Sequence, residues 1–217
     1  MTLHSTHPML DRAMQACGMV AILRGVRPDE VVDIGQSLYE AGFRIIEVPL
    51  NSPEPLRSIT ALRQALPEEV MVGAGTVLSP DDVAKIAQAG GQIIVMPHSD
   101  TAVIRAARDA GLAVAPGVAT PTEAFAALAA GAHVLKMFPA ELLGPAVVKA
   151  WRAVIPKSVP LLPVGGITPD NMTSFLEAGA QGFGLGSALY KPGLDAAEVG
   201  QRAHRFMTAW RTTQPAV

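Results

Sequence analysis

Residues 120–139 read Thr-Pro-Thr-Glu-Ala-Phe-Ala-Ala-Leu-Ala-Ala-Gly-Ala-His-Val-Leu-Lys-Met-Phe-Pro. This stretch holds one whole structural unit. Thr120 offers an oxygen to the free N–H groups of a helix start. Pro121 fits the first helical position, and Glu123 complements the positive end of the helix dipole. Ala130-Gly131 ends the helix, because glycine accepts the left-handed cap conformation. The apolar run Val134–Phe138 then reads as a strand covered on both faces, as in a parallel sheet.

The same punctuation recurs outward from this unit. Ala-Gly stands at 41–42, 89–90, 110–111, 130–131 and 178–179, at intervals of 48, 21, 20 and 48 residues. Near the middle of each long interval lies a proline stop, Leu66-Pro67 or Ile155-Pro156. Ser52-Pro53-Glu54, Ser79-Pro80-Asp81-Asp82 and Thr168-Pro169-Asp170 repeat the logic of the helix start. Seven helix ends follow, and 195–213 supplies an eighth helix. Between them lie apolar runs at Met19–Leu23, Phe43–Val48, Val70–Ala74, Ile93–Met96, Leu112–Ala115, Val134–Phe138, Leu161–Val164 and Phe183–Leu185. Eight strand–helix units of about 24 residues predict an α/β fold, a single (β/α)₈ TIM barrel. An open doubly wound sheet is the alternative, since periodicity does not show closure. One domain over 1–217 is expected, with a capping helix region in 1–18 and the barrel in 19–213.

Composition narrows the function classes. The 217 residues are 49% hydrophobic and 17% charged, with a formal net charge of −2. That supports a large core and no disorder. No cluster of Lys and Arg suggests a nucleic-acid surface, and aromatics for base stacking are scarce. Cys17 is the only cysteine, so no intramolecular disulfide forms and a reducing compartment is the default. The start MTLHSTHPMLDRAM lacks the pattern of a signal peptide, and no run reaches the roughly 18 apolar residues of a membrane span. The cytoplasm is the expected compartment. His4, His7, His133 and His204 make no ligand-spaced cluster with acids or Cys17, so no metal site is expected.

In a (β/α)₈ barrel, chemistry sits where strands end. Lys136 interrupts an apolar strand exit. Burial disfavours its charge, and a neutral amine adds to ketones. The position reads equally well as a lysine paired with a carboxylate. Glu47 ends the run Phe43-Arg44-Ile45-Ile46-Glu47, and alternation sets Phe43, Ile45 and Glu47 on one face. The second and sixth strands are both even-numbered, so Glu47 and Lys136 share an inward layer. They are then either an acid/base beside a nucleophile or a structural ion pair. Gly165-Gly166 and Gly186-Ser187 follow the last two strands, where barrels often hold phosphate; single glycine pairs more often mark turns. Arg24 suits a carboxylate or a rim salt bridge, and Thr76 a carboxylate or a turn. His98 lies near the mouth and reads mainly as a loop residue.

Assembled, these residues resemble the family of 2-keto-3-deoxy-6-phosphogluconate and 2-keto-3-deoxy-6-phosphogalactonate aldolases over nearly the whole chain. The matching segments are Ala21–Gly25, Ile46–Pro53, Val72–Leu78, Pro116-Gly117, Lys136–Glu141 and Pro163–Ile167. The resemblance implies a homotrimeric (β/α)₈ aldolase with no cofactor and no metal. Its substrate is a phosphorylated 2-keto-3-deoxy sugar acid. It makes Lys136 the Schiff-base lysine and Glu47 the general acid/base. Arg24 and Thr76 hold the carboxylate region, and Gly165, Gly166, Gly186 and Ser187 hold phosphate. Val164 and Asn51 stand where the gluconate branch typically has Thr and Arg, which looks like the galactonate branch. Two other classes remain: a phosphate-binding barrel isomerase or synthase, and a noncatalytic sugar-phosphate binder.

Overall fold

The computed structural model describes residues 6–213. The first half runs α1 (Pro8–Ala16), β1 (Met19–Ile22), α2 (Val31–Ala41), β2 (Ile45–Pro49), α3 (Pro55–Ala65), β3 (Met71–Gly75), α4 (Pro80–Gln88), β4 (Ile93–Val95) and α5 (Thr101–Asp109). The second half runs β5 (Ala113–Ala115), β6 (Gly117–Val118), α6 (Pro121–Ala130), β7 (Leu135–Met137), α7 (Ala140–Trp151), β8 (Leu161–Pro163), α8 (Met172–Glu177), β9 (Phe183–Leu185) and α9 (Ala196–Thr212). The expected N-terminal helix is therefore Pro8–Ala16; residues 1–5 and 214–217 of the expected domain lie outside the described residues.

The fold is α/β with a curled parallel sheet. Six strands pair in the order β5-β4-β3-β2-β1-β9, and three in the order β6-β7-β8. Pro116 separates β5 from β6; it has no N–H to give a ladder. At the other side, Val164 just past β8 bridges in parallel to Gly184 of β9.

Two apolar layers stabilise this arrangement. One lies between sheet and helices and includes Leu38, Phe43, Ile46, Val72, Leu161 and Phe206. The other gathers inward side chains of the strands, among them Val20, Ile45, Met71, Ile93, Val134 and Leu162, with Leu10 and Ala13 of α1. Alternation along β2 explains the split, with Ile45 inward and Ile46 outward. Phe43 corrects one expectation: it precedes β2 and packs on the helix side, not with Ile45.

The helix stops follow the sequence. All five Ala-Gly glycines have positive φ, as at Gly42 (118°) and Gly131 (103°), where a side chain would be strained. Two of the four expected helix starts hold. Thr120 and Glu123 form a reciprocal capping box on α6, and Ser79 caps α4. Ser52 and Thr168 do not cap. Glu54 starts α3 in the left-handed region (φ 41°), and Asn171 starts α8. The Ser52 hydroxyl instead accepts the Gly25 N–H at 2.9 Å, tying the β2 exit to the β1 exit. No helix among the described residues is long and apolar enough to cross a membrane.

Candidate active site

Glu47 sits in β2 with Ile22 of β1 and Gly73 of β3 as its lateral neighbours. It is 1% exposed. Its carboxylate lies against Gly75, where any added Cβ would collide with it. Gly75 is thus the missing side chain that gives Glu47 its room. Among the described residues, Oε2 is buried without a hydrogen-bond partner, a costly arrangement in an interior. Burial pushes the Glu47 carboxyl up to about 7, against the opposing pull of Lys136 and Arg24.

Lys136 stands in β7 between Gly117 of β6 and Leu162 of β8. It is 7% exposed. Its ammonium is held below the usual lysine range, first by burial and then by Arg24, with Glu47 pulling the other way. Nζ lies 5.0 Å from the centre of the Phe138 ring. Both shifts arise mainly from burial, and both favour the uncharged form. A neutral amine and a carboxyl that titrates near neutrality make a nucleophile and a proton carrier.

Arg24 is exposed at the β1 exit. Its Nη1 donates to Asn51 Oδ1 at 2.6 Å, and its Nη2 donates to Thr76 Oγ1 at 3.3 Å. Thr76 itself has φ 55°, a strained conformation for a β-branched residue. The exits of β1, β2 and β3 are therefore laced together, with a guanidinium presented at their rim.

The glycines after β8 have positive φ, 106° at Gly165 and 67° at Gly166. Val164 is buried, and its side chain crowds the space beside Gly184. Gly186 faces open space and Ser187 is exposed, so packing does not impose glycine at 186. The His98 imidazole is exposed, and its backbone carbonyl accepts from the Gly117 N–H at 3.1 Å.

Three contacts have no counterpart in the sequence pattern, although Asn51 itself marks the galactonate branch. Asn51 is the partner that orients Arg24, a contact across 27 positions with no local signature. Gly75 backs Glu47; the Gly-Ala-Gly run was its only signal. Glu141 of α7 brings its carboxylate against Gly165 and Gly166.

With this geometry in hand, similarity to known proteins is decisive. The family model for KDPG and KHG aldolases matches residues 10–204. The chain belongs to that aldolase family. A probable 2-dehydro-3-deoxy-6-phosphogalactonate aldolase of Rhizobium meliloti (strain 1021) is 46% identical over 192 residues, covering 88% of this chain and 91% of that protein. The 2-dehydro-3-deoxy-6-phosphogalactonate aldolase of Escherichia coli (strain K12) is 45% identical over 193 residues, covering 89% and 94%. A solved structure described as native KDPGal superposes with a TM-score of 0.88 at 44% identity, covering 90% of this chain and 95% of the other. Membership makes the chain an aldolase, a carbon–carbon lyase.

Proposed function

We propose that this aldolase cleaves 2-dehydro-3-deoxy-6-phospho-D-galactonate to pyruvate and D-glyceraldehyde 3-phosphate through an imine on Lys136. The observation that carries the reading is a buried lysine, biased toward its neutral form, and a buried carboxyl raised to about 7, near enough that each feels the other's charge. The two galactonate-named relatives support the choice of epimer.

Lys136 Nζ adds to the C2 ketone, and water leaves to give a protonated imine. Glu47, as carboxylate, accepts the proton of the C4 hydroxyl. The C3–C4 electron pair flows into the imine, glyceraldehyde 3-phosphate leaves, and an enamine remains. Glu47 returns its proton to C3, and water hydrolyses the imine to free pyruvate and the amine. Arg24 and Thr76 hold the carboxylate end. Gly165, Gly166, Gly186 and Ser187 hold the phosphate, whose remote binding positions the reacting bond. Val164 presents no hydroxyl near C4–C5.

The break of a strand at Pro116 and the Val164–Gly184 bridge at the other seam support closure of the strands into a (β/α)₈ barrel within one domain. Helix α1 plugs its bottom through Leu10 and Ala13. The enzyme acts as a homotrimer in the cytoplasm.

The test is pyruvate release from both 6-phosphorylated epimers, followed side by side with a coupled dehydrogenase. A higher kcat/KM for the galactonate epimer is expected. Preference for the gluconate epimer would overturn the assignment, and binding without pyruvate release would overturn the activity.

A further inference from the structure

The Gly165-Gly166 loop carries a neighbour that its assigned task does not call for. A Cβ built on Gly165 would lie 2.6 Å from Glu141 Oε2, and one on Gly166 would lie 2.9 Å from both Glu141 Oε2 and Glu141 Cβ. The hollow that two consecutive side chains would fill is therefore filled by one carboxylate. Glu141 is exposed and lies in the first turn of α7, and the adjacent Ala140 N–H donates to Val164 O at 2.8 Å. That bond fixes the start of α7 against the exit of β8. Among the described residues, no hydrogen bond or ion pair neutralises the Glu141 carboxylate. A negative charge thus rests on the loop that is read as receiving a dianion.

We propose that Glu141 is a specificity-determining residue that weakens the hold of this loop on any phosphate not also anchored at Lys136. The inference rests on the phosphate reading of Gly165 and Gly166. Like charges at a partly solvated site repel, and salt screens them. A substrate bonded covalently to Lys136 tolerates that repulsion, because its other end is fixed. Inorganic phosphate has no second anchor and bears the full cost. Glyceraldehyde 3-phosphate, once C3–C4 has broken, is in the same position, so Glu141 also hastens its departure. Uniformly tight binding of the phosphate would have slowed that release without raising the rate of the chemical step.

The experiment measures inhibition of pyruvate release by inorganic phosphate in the wild type, Glu141→Gln and Glu141→Ala. Both variants should bind phosphate roughly three- to fivefold more tightly, the range of a partly exposed charge contact. The gap should shrink in high salt. The rate of borohydride trapping of pyruvate serves as the control, because pyruvate carries no phosphate to meet the loop. Equal inhibition constants in all three proteins would overturn the proposal and leave the phosphate loop standing. Failure of phosphate to inhibit any of them competitively would remove the phosphate reading, and the proposal with it.

Discussion

The interior of the sheet holds two kinds of neighbourhood only two residues apart. On β2, Ile45 packs in the inner apolar cluster and Glu47 sits in the next inward position, with Oε2 unpartnered. Just before β7, Val134 belongs to that cluster, and Lys136 follows two residues on. On β3, Met71 belongs to that cluster, while at Gly73 and Gly75 the place of a side chain is taken by Ile93 and by the Glu47 carboxylate. The lower level is apolar and includes Leu10 and Ala13 of α1. The upper level replaces bulk with glycine and hydrocarbon with ionisable groups. The same period-2 alternation aims both levels inward, so the difference lies in side-chain identity alone. Stability is concentrated below, and chemistry above at a cost in stability.

Substitutions at the two levels should therefore act in opposite senses. Lys136→Met should have the largest effect, lowering kcat by on the order of 10⁴-fold or more. Its Tm at neutral pH should rise, because the lowered lysine pKa means the folded protein resists a proton that the unfolded chain accepts. Turnover near wild type would remove the amine from the mechanism. Glu47→Gln should lower kcat by about 10²- to 10⁴-fold. It should also separate from the wild type in stability as pH rises. The folded wild type holds a proton on Glu47 between about 4.5 and about 7 that the unfolded chain has released, so its stability falls across that window. The variant does not titrate there. Its advantage should be absent below pH 4.5 and reach at most on the order of 3 kcal/mol above pH 7. A constant stability difference across that window, followed by thermal melts, would contradict the burial of Glu47.

At the lower level the pattern should invert. Ile45→Ala should cost about 2–5 kcal/mol in denaturant unfolding, by leaving a cavity in the inner cluster. Turnover per folded molecule should hold. Loss of turnover in a fully folded Ile45→Ala protein would mean the two levels are not separable. The smallest effect is expected at the edge of the upper level. Val164→Thr restores a hydroxyl there and should move the epimer ratio toward gluconate by about tenfold or less. An unchanged ratio would take Val164 out of the selectivity.

What was legible in the sequence follows from how local each signal is. Gly131 after Ala130 marks a helix end because the left-handed cap is a property of that residue itself. Glu47 and Lys136 stood out because each breaks an apolar run at a strand exit, and alternation fixed their facing. Ser52 and Thr168 misled for the opposite reason. Ser52 serves Gly25, 27 positions away, while Glu54 and Asn171 begin the helices. Nothing in the spacing foretold that Asn51 would hold Arg24, or that the Glu141 carboxylate would rest on Gly165. Those contacts depend on how neighbouring strand exits meet, which one-dimensional periodicity does not encode.

The mechanism stands on a covalent bond between one amine and a keto carbon. Borohydride reduction in the presence of pyruvate, followed by peptide mass mapping, reads it directly. A single reduced pyruvyl group on the peptide containing Lys136, absent from Lys136→Met, is the expected result. An unmodified protein, or a label on Lys85, Lys149, Lys157 or Lys191 instead, would contradict it.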